Sequence, residues 1–285
     1  EGRFLASYAD WQSVAGDYLL SGVGVTDAPA ALAIPKAPVV YISGKPADND
    51  KGFVKTTLVS GSYEYNYDRQ AMRTLGFTVT DDASQADLII GAAALDEQAL
   101  AAVKSGTPYI GYGSKAMKSA VSLFDEGALV RETVSPNAMD ALAYVTYPTD
   151  SLITASYAAD GDHVLYTYSC GVLTSVPAGA TVLIQAAEQD SFIAGCCLNE
   201  NGTPIDGFVE AIALERDGMD LTIFANSVNN RAHQQDDYRY VTNAIYAKMS
   251  TGGTGFTDVP ASHWAAGGIA YAVENGLMTG TSRTT

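Results

Sequence analysis

Basic residues, histidine and cysteine are all scarce in this chain. Lys and Arg together number 16 against 32 Asp and Glu, a formal net charge of −16 over 285 residues. A surface of that sign repels nucleic-acid phosphates and anionic lipid headgroups, so neither is an expected partner. Three His and three Cys leave little from which to build a metal centre. No Cys-x-x-Cys spacing occurs, and Cys196 and Cys197 are neighbours in an apolar run, where strand alternation would turn them to opposite faces. The expectation is buried free thiols, no disulfide framework, no structural zinc, and no metal or cofactor. No apolar run reaches about 18 residues, so insertion into a membrane is not expected. The chain opens on Glu1-Gly2-Arg3, neither a Met start nor a basic leader, which suggests a fragment or a processed form.

What is present is apolar: 47% of the residues are hydrophobic, enough for one large core and a smaller unit. Residues 1–36 read as a lead-in of short extended pieces packed on a main domain that spans 37–250. From Ala37 a regular alternation begins. Val39 to Gly44, Phe77 to Thr80, Asp87 to Gly91 and Pro108 to Tyr112 are short strand candidates. Helical patterns intervene before Leu75, over Asp96 to Lys104 and from Lys115 to Phe124. Strands alternating with helices at this spacing predict an α/β fold with a doubly wound, flavodoxin-like, mostly parallel sheet. After Val130 the pattern becomes strand-rich, with candidates at Ala143 to Tyr147, His163 to Tyr168, Thr181 to Ile184, Phe192 to Gly195, Phe208 to Leu214 and Leu221 to Ala225. A helix through Tyr240 to Met249 closes the domain. Residues 251–255 form a Gly-rich linker, and 256–285 a short helical tail.

Within this scheme one stretch has the form of an active-site elbow. Pro108-Tyr109-Ile110-Gly111-Tyr112 runs straight into Gly113-Ser114-Lys115-Ala116, a strand turning sharply into a helix at the sheet's carboxyl edge. Open α/β folds place ligands there, and many hydrolases place a Ser or Cys nucleophile on that turn. Here Gly113 occupies the turn and Ser114 follows it. Tyr63, Tyr65 and Tyr67, with Tyr41 and Tyr112, are candidates for an aromatic groove at the same edge.

The tail Phe256-Thr257-Asp258-Val259-Pro260-Ala261-Ser262-His263-Trp264, followed by Gly276-Leu277-Met278-Thr279-Gly280, closely resembles the first half of an S-layer homology domain. The resemblance implies an exported, cell-surface protein of a Gram-positive-type bacterium, with Asp258 and Trp264 in the wall-anchoring motif. Complete repeats of that family hold proteins to cell-wall polysaccharide; a half-repeat alone is not expected to bind it.

Residues from Ala37 to Met249, in element order and in Tyr109 to Ala116, resemble the class I glutamine amidotransferase-like fold. The loop Asn229 to Arg239 and Asn243-Ala244-Ile245-Tyr246 are similar to the version that follows the catalytic domain of some bacterial zinc carboxypeptidases. Active members need an elbow Cys, a His after a late strand, and a carboxylate that orients it. The resemblance puts the Cys position on Gly113 and the His position on His233, with Asp236 three residues on. No His is followed at the third position by Glu, so the carboxypeptidase zinc pair is absent: His163 is followed by Tyr166, His233 by Asp236 and His263 by Ala266.

The resulting expectation is a non-catalytic accessory domain of a wall-attached peptidase, with a cleft formed by Gly113, Ser114, Asn229, Arg231 and His233 that could take a peptide or glycan. Two alternatives stay open: an amidase or peptidase using Ser114 or a Cys with His233, and a small-ligand binding module at the elbow.

Overall fold

Runs of buried β-branched and aromatic residues build the centre of the sheet. The computed structural model describes residues 38–43, 68–69, 71–73, 77–134, 140–167, 170–196, 205–226, 228 and 237–249. The lead-in, the linker and the tail lie outside the described residues. β1 (Val39–Tyr41), β2 (Thr78–Thr80), β3 (Leu88–Gly91) and β4 (Tyr109–Tyr112) are all parallel, in the order β4-β3-β1-β2. The strand after β1 pairs outward and the next pairs inward, which is the flavodoxin-like order. β12 (Met219–Phe224) joins β4 as the fifth parallel strand, Phe224 lying opposite Tyr112.

The other half of the sheet is antiparallel. β11 (Val209–Arg216) pairs with β12 through a tight hairpin and with β9 (Thr181–Ala186) on its far side. β5 (Val130–Thr133) and β8 (Gly171–Ser175) form a ribbon that joins β11 at Val209 and Leu173. β6 (Ala141–Thr146), β7 (Val164–Thr167) and β10 (Phe192–Gly195) extend the sheet beyond β9.

Side chains of the parallel strands alternate between two cores, so both faces must be covered. Tyr41, Ile89, Tyr109 and Ile223 face α1 (Glu97–Lys104) and α2 (Gly113–Ala120), which contribute Ala99, Val103, Ala116 and Met117. Val40, Ile90, Ile110 and Phe224 face α3 (Leu152–Asp160) and α4 (Tyr238–Met249), which contribute Ile153, Tyr157, Tyr240 and Ile245. This is the doubly wound α/β arrangement that the alternation predicts.

α3 and β5 are additions to the sequence reading. Leu152-Ile153-Thr154 looks like a strand, yet Ser151 caps a helix there by accepting from the Ile153 amide, and Gly161 ends it at φ 71°. α3 is pinned on α4 by the Tyr157 and Tyr240 rings, stacked with centroids 3.8 Å apart, and by Arg239 lying 4.1 Å above the Tyr157 ring.

Candidate functional site

The elbow forms where the sequence places it. β4 ends at Tyr112, the chain turns at Gly113 with φ 80°, and α2 begins at once. A residue with a Cβ is strained in that left-handed conformation, so glycine suits a turn this tight. Gly113 is buried and contributes no side chain, while Ser114 is exposed on the first turn of α2. No side chain caps α2, since its N-cap is Tyr112.

Tyr112 is held from the α4 side of the sheet. Its hydroxyl donates to Asp68 Oδ1 at 2.6 Å, and Asp68 Oδ2 accepts the Ala92 amide at 2.7 Å. Gly91 makes room for this buried carboxylate: with φ 139°, its Cβ would lie 2.8 Å from Asp68 Oδ2. Asp68 thereby ties the carboxyl ends of β3 and β4 together. The aromatic groove is corrected at two of its members: Tyr41 and Tyr112 are buried, and the Tyr41 hydroxyl is committed to Asp96 Oδ2 at 2.7 Å. Tyr63, Tyr65 and Tyr67 lie outside the described residues.

On the other side of the elbow stands β12. Phe224 lies opposite Tyr112, the last residue of β4, and Ala225 is the next residue after β12. Around Ala225 gathers a polar cluster that the sequence reading does not contain. Arg131 Nε, from β5, donates to the Ala225 carbonyl oxygen at 2.6 Å. Asn226 binds Gly171 of β8 at both backbone groups, accepting its N–H at 3.0 Å and donating to its carbonyl oxygen at 2.8 Å. The same amide donates to Glu210 Oε2 at 2.7 Å. Glu210 Oε1 is buried without a hydrogen bond. Burial pushes the Glu210 carboxyl up to about 8, with the Asn226 bond and the Arg131 charge pulling the other way. Burial lowers the Arg131 guanidinium and the Glu210 charge partly restores it; an arginine so placed stays protonated. The residue-level signal for this cluster is slight: Glu210 is the single acid within the apolar run Phe208 to Leu214, and Asn226 directly follows a buried strand.

Cysteine chemistry needs a correction. Cys170 is disulfide-bonded, not a free thiol, and is wholly buried at φ 44°. Cys196 is exposed and stays outside any disulfide. The low cysteine count excluded a disulfide framework, but a single bridge needs only two residues. Among the described residues no group of three or more His, Cys, Asp or Glu could hold a metal ion. Asn229, Arg231 and His233 of the candidate cleft, with Asp258 and Trp264 of the tail, lie outside the described residues.

Residues 255–285 match the S-layer homology domain. That segment marks a cell-surface-associated protein, and domains of this kind bind cell-wall polysaccharide. No helix among the described residues is long and apolar enough to cross a membrane. No curated protein matches the chain. Among solved structures, it is similar to a GMP synthase subunit protein from Thermoplasma acidophilum, at 10% identity and a TM-score of 0.43, covering 74% of this chain and 95% of that one. A β-galactosidase from G. stearothermophilus matches at 12% identity and 0.40, covering 83% of this chain but 33% of the enzyme. A glutamine amido transferase from Methylobacillus flagellatus matches at 12% identity and 0.35, with 74% and 91% covered. The fold class rests on the strand order itself.

Proposed function

We propose that residues 37–250 form a non-catalytic, amidotransferase-like accessory domain of a secreted bacterial protein held at the cell wall. Its role is to recognise or space a peptide or glycan for a surface peptidase. The zinc carboxypeptidase suggested by the loop Asn229 to Arg239 is the partner domain we favour. Gly113 carries this reading. It is buried at the tip of the elbow with φ 80°, where an amidotransferase needs a sulfur atom, and it has no side chain to react. Ser114 is exposed on α2, past the turn, and Cys170 is closed in a disulfide, so neither favours the amidase alternative. A disulfide also suits an exported protein, because bridges persist outside the reducing cytoplasm.

The test is an amide-hydrolysis assay of the full chain across acid to alkaline pH, with glutamine and wall-derived stem peptides as substrates. The reading predicts no ammonia or amino-acid release above the buffer blank, and none lost in Ser114→Ala. Release that disappears in Ser114→Ala contradicts it.

A further inference from the structure

β6 presents an apolar face that no described helix covers. Its side chains alternate, with Ala141, Ala143 and Val145 buried and Leu142, Tyr144 and Thr146 exposed. Leu142 is 38% exposed and Tyr144 50%. The antiparallel register sets Tyr166 of β7 opposite Leu142 and Val164 opposite Tyr144, so these four side chains share one outward face. None of the four belongs to a hydrophobic core, and the core under α1 and α2 contains no residue of β6, β7 or β10. This face of β6 and β7 carries no charged residue, in a chain of net charge −16.

Apolar side chains left in water at adjacent positions mark a contact surface. β7, β6 and β10, of four, six and four residues, offer about 200–300 Å² there at about 4.8 Å between strands and 3.3 Å per residue. A stable dimer needs about 800 Å² from each partner. The face is too small for a second copy. It is adequate for a segment of the same chain, which a tether holds at an effective concentration on the order of millimolar.

The S-layer homology match accounts for the tail, and residues 197–204 offer little apolar surface beyond Cys197 and Leu198. Residues 44–67 would have to travel out from β1 and return to Asp68, which halves their reach. The lead-in needs to cross only once, and it carries Phe4, Leu5, Trp11, Tyr18, Leu19 and Leu20. β6 lies six strand positions from β1 in the sheet order, about 29 Å away. The chain from Leu20 to Val39 spans up to about 60 Å when extended. We propose that residues 1–36 cross to the far end of the sheet and seat their apolar side chains on Leu142 and Tyr144. The lead-in is then a strap that ties β6 to β1.

The full chain carrying p-benzoylphenylalanine in place of Tyr144, irradiated at several dilutions and mapped by peptide mass spectrometry, tests this. Crosslinks should fall within residues 1–36 of the same molecule, in a yield independent of protein concentration. The same reporter in place of Val121, which is 39% exposed after the end of α2, should crosslink residues 1–36 at least about tenfold less. Yields that rise with concentration would assign the face to a second copy and overturn the proposal. Crosslinks to another segment, equal yields at the two sites, or no crosslink also overturn it. Independently of the reporter, Tyr144→Asp should speed hydrogen exchange of amides in residues 1–36 by about tenfold and leave β4 unchanged. Exchange in residues 1–36 at the wild-type rate in this variant overturns the proposal alone.

Discussion

Asn226 donates to Glu210 Oε2 at 2.7 Å while Glu210 Oε1, on the same buried carboxyl, has no partner. The carboxyl is half satisfied, and its protonation state is therefore coupled to folding. Its ordinary value is 4.5 and burial raises it to about 8. Between those values the folded chain keeps a proton that the unfolded chain has released. The stabilising contribution is complete below about 4.5 and is lost as pH rises through about 8, a change on the order of a few kcal/mol. Urea unfolding of the wild type and Glu210→Gln at acid and alkaline pH checks this. The stability difference should shift in favour of the Gln variant as pH rises; a difference independent of pH contradicts the assignment.

Asn226 joins β8 to the end of β12 through Gly171. Asn226→Ala leaves the Gly171 N–H and carbonyl oxygen unpaired in the interior and removes a bond to Glu210. The expected cost is about 2–4 kcal/mol, read as a lower urea midpoint. A loss under about 0.5 kcal/mol would mean that water replaces the amide at no penalty.

Gly113 holds the left-handed turn at φ 80°. Gly113→Ala should destabilise the domain by about 1–2 kcal/mol through backbone strain, without altering any activity. Thermal unfolding monitored by circular dichroism measures it, and an unchanged or raised melting temperature would show that the turn is not left-handed in solution.

The disulfide of Cys170 anchors the start of β8, next to the Gly171 that Asn226 grips. Reduction, or Cys170→Ala, should lower stability by about 2–4 kcal/mol. Comparing unfolding with and without a reductant, alongside thiol counting by mass spectrometry, tests this. Equal stability in both conditions would show that the bridge constrains nothing.

The parts of this molecule that the sequence reveals are those governed by local chemistry. β3 and β4 are short apolar runs bounded by Gly, and the spacing of Asp96 to Lys104 with its Asp96 cap is helical on its face. The Gly113 turn is visible because a strand meets a helix with no residues between. α3 is hidden because it is buried between the sheet and α4, so it has no polar stripe to give a helical period, and Ile153, Thr154 and Tyr157 favour strands. Its surviving signals are the Ser151 cap and Gly161. The cluster around Ala225 could not be read at all. Arg131, Gly171, Glu210 and Asn226 come from four separate stretches, with Arg131 and Ala225 separated by 94 positions. Only the fold brings them beside the elbow.

Gly113 gives the turn of the elbow no side chain to react, and covalent trapping is the sharpest probe of that site. The intact chain would be incubated with a fluorophosphonate and with a chloromethyl ketone glutamine analogue, then mapped by peptide mass spectrometry. No modification is expected at Ser114 or at any other residue of the elbow, with labelling, if any, confined to the exposed Cys196 thiol. Stoichiometric labelling of Ser114 that is abolished by His233→Ala would contradict it, and would make this domain an enzyme.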